Sequence, residues 1–415
     1  MAVPPRRPDL FDPEPEAAPP APPDRPGAPA SGLPLDDTER LARLRLIRSE
    51  NVGPTTFEAL IARYGSAKKA LAVLPDLARR GGRTRPIRIP PPDAIEREMA
   101  AAARAGARFI VLGEPAFPRR LAALSPPPPV LCVMGSDDAL HSPSIAIVGA
   151  RNASALGRQF AERLARDLGA AGVHIVSGLA RGIDGAAHRG ALDTGTSAVL
   201  AGGLDCVYPP DHKDLAAAVA RSGALVSEMP LGTAPQASLF PRRNRLVAGL
   251  ALGVVVVEAA LRSGSLITAH HAAEQGREVM AVPGFPLDPR GRGCNQLLRQ
   301  GATLIEDAQD VMEAIGPTMD GFRRPDRAAA TRLRDPAPAP SPLGSQGGSP
   351  PDDTLEAARR ALWPLLGASP TPVDALIQAA GVPTDLALTV LMEWDLAGRI
   401  HREPGGAVSA CEPVT

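Results

Sequence analysis

Aromatic side chains are scarce in this sequence. Phe, Tyr and Trp make up 3% of the 415 residues, so base stacking cannot be the main source of affinity for any nucleic acid. The formal net charge is zero, so an anion can be bound only by a local cluster of basic groups. Together these two features weigh against a protein that coats nucleic acid in bulk.

Lysine is nearly absent as well. Of the 45 basic residues, only Lys68, Lys69 and Lys213 are lysines. Arginine presents a planar fork of donors that suits phosphate. Genome composition explains the skew toward arginine better than function does, although the fork suits an anion site, and Lys213 stands out as a mild anomaly.

The four cysteines lie far apart and show no paired spacing, which predicts neither a zinc cluster nor a disulfide framework. We expect no metal, no other cofactor and a reducing compartment. The N-terminus has no apolar signal region, and no apolar run is long enough to span a bilayer. The sequence thus predicts a cytoplasmic protein that does not enter a membrane.

The 47 prolines and 40 glycines are unevenly spread and divide the chain. Dense Pro and Ala predict a disordered arm over residues 1–36, and Pro, Gly and Ser predict a linker over residues 317–353. Between and beyond these segments we predict a small helical domain at 37–83, a central domain at 105–316 and a terminal domain at 354–411.

The central domain is organised around residues 144–192, which read as strand, loop, helix, strand, loop and helix. Regular alternation continues to its end and predicts an α/β fold, a Rossmann-like, doubly wound and mostly parallel sheet. The predicted strands are 108–112 and 126–135, followed by 144–149, 173–178, 197–202, 224–229, 253–259, 277–283 and 302–306.

The two flanking domains are smaller. Two helical runs on either side of Asn51–Pro54 resemble a SAM-like helix-hairpin-helix, which either contacts a DNA phosphate or serves as a plain packing module. The terminal domain suggests a winged helix. Its third helix, 384–396, carries Asp385, Glu393 and Asp395 but no Lys or Arg, so a protein contact or packing is favoured over reading duplex DNA.

Parallel strands place their strand-to-helix loops at one edge of the sheet, where open α/β sheets bind ligands. We call this edge the rim. Its loops combine basic groups with small residues, which describes an extended phosphate track. The candidate binding residues are Arg151, Ser154, Gly178, Arg181, Gly182, Lys213, Arg242, Arg243, Asn244, Arg245, Ser263, Gly264 and Ser265; no residue is predicted to be catalytic.

Three of these positions have competing interpretations. The basic run 242–245 at a predicted helix start opposes the helix dipole, which favours anion binding over a structural role. Asp184, on the same rim, is interpreted as a cap that accepts helix N–H groups. Residues 263–265 fit a helix N-cap and a phosphate nest equally well.

Several segments in order carry a family resemblance. IVGARNASALG, VSGLARGIDGAAHRGAL, AGGLDCVYPPDHKDL, SEMPLGTAPQASLFPRRNRLVAGL, VVVVEAALRSGSLITAHHA and the later VPG and GCNQLLRQGA resemble the DNA-processing protein A family (DprA, also called Smf) over residues 105–315. The flanking hairpin and winged-helix patterns match accessory domains that members often carry.

The resemblance implies a function. Members bind single-stranded DNA, displace or coexist with single-strand-binding protein, and load the RecA recombinase during natural transformation; they are homodimers and not established enzymes. Carried over by motif, the DNA pocket would comprise Arg151, Arg181, Gly182, Lys213, Arg242, Arg243 and Arg245.

Two other classes remain as alternatives. The central sheet more distantly resembles phosphoribohydrolases, nucleotide-processing enzymes whose PGGxGTxxE stretch supplies a glutamate that works on the ribose. Here the comparable place runs from Glu258 to Thr268 and has neither the double glycine nor the following glutamate. A pure protein adaptor would leave the basic rim unexplained.

Overall fold

The computed structural model describes residues 35–323, 352–403 and 406–411. Most of the predicted arm and most of the predicted linker lie outside these ranges. The N-terminal helices are α1 (Asp37–Ile47), α2 (Pro54–Tyr64), α3 (Ala67–Arg80) and α4 (Pro92–Arg104). The side chains of Asp36 and Ser66 cap α1 and α3, and α2 begins with proline, which fits the first helical position.

The central domain then alternates strands and helices. Its elements are β1 (Ala107–Val111), α5 (Arg119–Ala122), β2 (Val130–Gly135), α6 (Asp138–His141), β3 (Ser144–Val148), α7 (Ala155–Ala170), β4 (His174–Ser177), α8 (Ile183–Gly190), β5 (Thr196–Val199), α9 (Lys213–Ser222), β6 (Ala224–Ser227), α10 (Leu239–Leu250), β7 (Gly253–Val256), α11 (Gly264–Glu274), β8 (Glu278–Ala281), α12 (Arg292–Arg299), β9 (Thr303–Leu304) and α13 (Ala308–Arg323).

These strands form one nine-stranded sheet in the order β1-β2-β6-β5-β4-β3-β7-β8-β9. The pairs from β6 across to β9 are parallel, and β1 and β2 pair antiparallel at one edge. The predicted mostly parallel, doubly wound sheet is confirmed. The strands end earlier than predicted, because the residues just after them already belong to the rim loops.

Apolar residues on both faces of each strand explain why the sheet is covered on both sides. In β3, Ile145 and Ile147 belong to the apolar cluster under α7, α8 and α13, while Ala146 and Val148 belong to the cluster under α10, α11 and α12. A continuous apolar run of this kind is typical of a buried parallel strand. The layers fix the rim loops on a rigid base.

The C-terminal module confirms the predicted winged helix. It contains α14 (Asp352–Leu362), β10 (Thr371–Pro372), α15 (Val373–Ala380), α16 (Thr384–Ala397), β11 (Ile400–Arg402) and β12 (Ala407–Ala410), and its sheet has the order β10-β12-β11. In the described residues no single helix is long and apolar enough to cross a membrane; α15 and α16, bent by 120°, pass that test only as a pair.

One predicted boundary is displaced. The composition change after Ile315 suggested that the linker starts at 317, but α13 continues to Arg323. Met319 explains the difference: it is buried in the same apolar cluster as Ile315, one helical turn further on. The helix is extended by this packing in spite of Pro317.

Candidate functional site

The loops after β3 and β4 meet at the rim, as the parallel arrangement predicted. Gly182 has φ 79°, and a Cβ on it would overlap the carbonyl oxygen of Ala150. The amide of Ile183 donates to that same carbonyl at 3.3 Å. A glycine is therefore required at 182 for the two loops to touch, and their contact places Arg151 and Arg181 together at the rim.

Four cations of the predicted track are exposed on the rim: Arg151, Arg181, Lys213 and Arg242. The Arg151 guanidinium lies 4.8 Å from the centre of the Phe240 ring, and Arg181 pairs with exposed Asp211 at 2.7 Å. Lys213 is the first residue of α9, where its charge opposes the helix dipole, and Asp214 follows it in the same turn.

Arg243 is different, because its side chain is buried. The residue is 7% exposed, and burial lowers the pKa of its guanidinium to about 10. Within the described residues its buried Nε has no hydrogen-bond partner, and the guanidinium is in no ion pair. It lies against Gly178, where any Cβ would overlap Nη1. The glycine after β4 thus makes room for an arginine.

Arg243 opens into a small pocket at the rim. Its walls are formed by strand-end loops and by the start of α10: Gly178, Leu200, Ala201, Gly202, Cys206, Tyr208, Pro235 and Phe240. Tyr208 and Phe240 stand edge to face, with their ring centres 6.0 Å apart. The pocket combines an unsatisfied buried cation with two rings, but it has room for only about one water molecule. It therefore suits a single oxygen of an anion whose remaining atoms stay outside.

Arg245 does not belong to the exposed track, which corrects the prediction. It forms an ion pair with Glu228, and the two side chains are 17% and 9% exposed. It also donates to the carbonyl of Pro126 at 3.3 Å. Arg245 therefore fastens α10 to neighbouring loops. Its neighbour Asn244 donates to the carbonyl of Gly264 at 3.2 Å and so positions the loop before α11.

The basic run also lies deeper in its helix than predicted. Because α10 begins at Leu239, residues 242–245 lie past the first three residues of the helix, where the effect of the helix dipole is weaker. The dipole argument for anion binding therefore applies to this run less than expected. The burial of Arg243 and the exposure of Arg242 decide their roles instead.

The N-terminus of α7 is already occupied by a carboxylate of the chain. Ser154 caps α7, and Glu258 accepts hydrogen bonds from the Ser154 amide at 2.9 Å and from its hydroxyl at 2.6 Å. A Cβ on Gly157 would contact the same carboxylate. Glu258 stands where an open α/β sheet would place a phosphate, and the Ser154 hydroxyl is engaged with it and with the amide of Gly157.

Two other positions had competing interpretations. Ser263 is the N-cap of α11 and its hydroxyl lies 2.8 Å from that of Ser265; the phosphate nest at residues 263–265 stays a prediction. Asp184 is structural, but its carboxylate accepts from the amides of Gly178 at 3.2 Å and Ala180 at 3.3 Å. These amides belong to the preceding loop and not to the helix, which corrects the predicted cap. Burial raises the pKa of Asp184.

The structure shows roles that the sequence reasoning missed. The ring centre of Phe240 lies within 6 Å of the guanidinium carbons of both Arg151 and Arg243. Its position directly before the PRRNR segment was the available signal. No group of three or more His, Cys, Asp or Glu side chains that could hold a metal ion occurs in the part of the chain that the structure describes.

Comparisons with known proteins agree along the whole described chain. The family model for DNA recombination-mediator protein A matches residues 108–316, a DprA-like N-terminal HHH domain matches 37–101, and a DprA winged helix domain matches 346–406. The N-terminal match thus extends beyond residue 83 and includes most of α4.

Individual relatives agree with these matches. Protein Smf of Escherichia coli is 42% identical over 295 residues, which are 70% of this chain and 74% of that protein. DNA processing protein DprA of Bacillus subtilis is 41% identical over 53% of this chain and 75% of its own length. The crystal structure of DprA from Streptococcus pneumoniae superposes with a TM-score of 0.56 at 32% identity, covering 68% of this chain and 98% of that one. The chain belongs to the DNA recombination-mediator protein A (DprA/Smf) family.

Proposed function

We propose that this protein binds single-stranded DNA along the rim and loads the RecA recombinase onto it during natural transformation, as a cytoplasmic homodimer that displaces or coexists with single-strand-binding protein. The observation that carries the DNA-binding part is Arg243. A buried guanidinium without a hydrogen-bond acceptor is costly, and a phosphate that enters the pocket would supply the missing acceptor. The DNA recombination-mediator description of the family supports the loading step.

The shape of the site favours a single strand over a duplex. Arg243 is 7% exposed and lines a pocket with room for about one water molecule, so a bound strand must turn a phosphate oxygen inward to reach it. Duplex DNA is stiff, with a persistence length of about 50 nm, and it keeps its phosphates on the outside of a cylinder. A single strand has the freedom to follow the rim and enter the pocket.

Glu258 supports a binding role over the phosphoribohydrolase alternative. A glutamate that acts on a ribose must face the substrate, but this carboxylate already accepts two hydrogen bonds from Ser154. It compensates the positive end of α7. We therefore propose that the protein has no nucleotide-processing activity of its own.

We expect the exposed cations of the track to make the affinity for single-stranded DNA depend on the salt concentration. Each phosphate neutralised on a single strand contributes about −0.7 to the slope of log K against log salt. Arg151→Ala, Arg181→Ala and Lys213→Ala should each weaken binding of oligo-dT and flatten that slope by somewhat under one unit. Sequence preference should hardly change, because backbone contacts carry no sequence information. A salt titration with oligo-dT and a mixed strand measures both quantities.

Two matched variants sharpen this experiment. Asp211→Asn should strengthen binding, since Asp211 neutralises Arg181 in the free protein. Arg163→Ala removes an equal charge from an exposed position on α7 that pairs only with Asp167, and it should change neither affinity nor slope. Unchanged slopes in all three rim variants would refute the phosphate track.

Arg243→Met separates function from stability. Removal of a buried charge without a hydrogen-bond partner should leave the free energy of unfolding unchanged or raise it. The affinity for single-stranded DNA should nevertheless fall at least tenfold, since the variant has lost the donor at the bottom of the pocket. Urea denaturation and a binding titration on the same preparation test this. A variant that unfolds more easily yet binds normally would contradict the role given to Arg243.

The loading step predicts a kinetic effect on RecA. On a single strand covered with single-strand-binding protein, the wild-type protein should shorten the lag before RecA filaments form, which can be followed as RecA-dependent ATP hydrolysis. The double variant Arg151→Ala/Arg181→Ala should not shorten the lag, whereas Arg163→Ala should act like wild type. A wild-type protein that binds the strand but leaves the lag unchanged would show binding without loading.

The proposed lack of turnover can be checked directly. The pure protein should release no adenine from AMP and should not hydrolyse ATP, because Glu258 is engaged with Ser154 at the start of α7. The assay is chromatography of the nucleotide after prolonged incubation. Steady production of adenine that disappears in Glu258→Gln would favour the enzyme alternative.

A further inference from the structure

The third helix of the winged-helix module, α16, is buried on two sides. Val390, Leu391 and Trp394 pack in the core of its own module. Met392 and Leu396 instead complete the apolar core of the N-terminal helical domain and are 3% and 0% exposed. A helix that reads duplex DNA must keep one side free for the major groove. In α16 that second side is used by protein.

Specific polar contacts accompany this packing. The side-chain amide of Asn51 donates to the carbonyl of Leu396 at 3.1 Å, and Arg63 donates to the hydroxyl of Thr389 at 2.6 Å. The Thr56 hydroxyl donates to Asp395. These contacts lie on the hairpin turn and on α2, so the hairpin itself forms part of the contact surface.

Backbone shape matches on the two sides as well. Gly81 ends α3 with φ −68°, and a Cβ there would overlap the carbonyl of Glu393 and lie 2.9 Å from the Cβ of Ala397. The absence of a side chain at 81 is therefore required by the approach of α16 and not by the backbone conformation. Such a fit indicates a surface formed for one partner.

Two of the three acidic residues of α16 have partners within the protein. Glu393 is 1% exposed and pairs with Arg359 of α14. Asp395 accepts from Arg402 at 3.1 Å in addition to Thr56. Both carboxylates act within the protein. Each would also repel the phosphates of a duplex brought to this helix.

We propose that α16 is a docking helix whose partner is the N-terminal helical domain of the same chain. The C-terminal module joins the two ends of the protein and presents neither its third helix nor the hairpin to duplex DNA. This inference goes beyond the proposed function, because the rim and its pocket take no part in it.

The test distinguishes a C-terminal module that binds the N-terminal helical domain from one that is held only by the connecting chain. A site for a sequence-specific protease is inserted after residue 337, in the connection between α13 and α14, and the folded full-length protein is cut there. The C-terminal fragment should stay bound to the rest through gel filtration at micromolar concentration. Met392→Arg places a charge in the interface. Gly81→Leu puts a side chain on α3 where α16 packs against it. Each variant should release the fragment, with its dissociation constant raised at least tenfold.

Leu388→Arg is the matched control, because Leu388 lies on the same helix but is 47% exposed; the fragment should stay bound. Uncut Met392→Arg should keep the wild-type mass, the wild-type affinity for single strands and the wild-type, weak affinity for duplex DNA. A wild-type fragment that dissociates after cleavage, or a control that releases it, would overturn the proposal. A halved mass in uncut Met392→Arg would show that α16 contacts the N-terminal domain of a second copy. A tenfold gain in duplex binding would show that α16 reads DNA. Either result would overturn the proposal.

Discussion

The buried charge of Arg243 is the constraint on which the rest of the rim depends. To accommodate the guanidinium, the chain needs a glycine at 178, since a Cβ there would overlap it. It also needs Phe240 nearby, whose ring centre lies 5.8 Å from the guanidinium carbon. The charge of Asp184 lowers the electrostatic cost of burying the Arg243 guanidinium. The buried Arg243 guanidinium thus keeps hydrogen-bonding capacity that the protein itself does not use. Such unused capacity is typical of a binding site.

Two positions on the rim, the N-terminus of α7 and Arg243, carry positive charge that an anion could neutralise. Only the first has an anion from the chain itself, and this difference defines the candidate site. At the N-terminus of α7 the chain supplies its own anion, Glu258, and the position is closed. At Arg243 the chain supplies no acceptor, and the position is open to the pocket. A nucleotide enzyme on this fold would be expected to keep the first position open for phosphate. The position left open for an anion therefore lies at the ends of β4 and β5, and not at the end of β3.

The sequence allowed prediction of what depends on local pattern and on chain topology. Apolar runs gave the strands, the parallel connections brought Arg151 and Arg181 to one edge, and glycine at 182 allowed their loops to touch. Two of the failures, at Arg245 and at Arg243, involve contacts between residues far apart in sequence. Nothing near Arg245 in sequence shows that Glu228 will pair with it, and nothing near Arg243 shows that Gly178 will cover it. Whether an arginine is buried depends on which strand ends lie above its helix. Composition does not reveal that arrangement.

A chain without net charge must divide its charges among separate tasks, and the two ends of this protein show how. Arg359 and Arg402 are paired with carboxylates of α16, and Arg48 is paired with Glu98. These ion pairs join elements within each end domain and leave the arginines little capacity for phosphate. On the rim, Arg151, Lys213 and Arg242 have no carboxylate within ion-pair distance among the described residues, and Arg181 has only exposed Asp211. Positive charge without carboxylate partners therefore gathers at one edge of the central sheet, although the molecule as a whole is neutral.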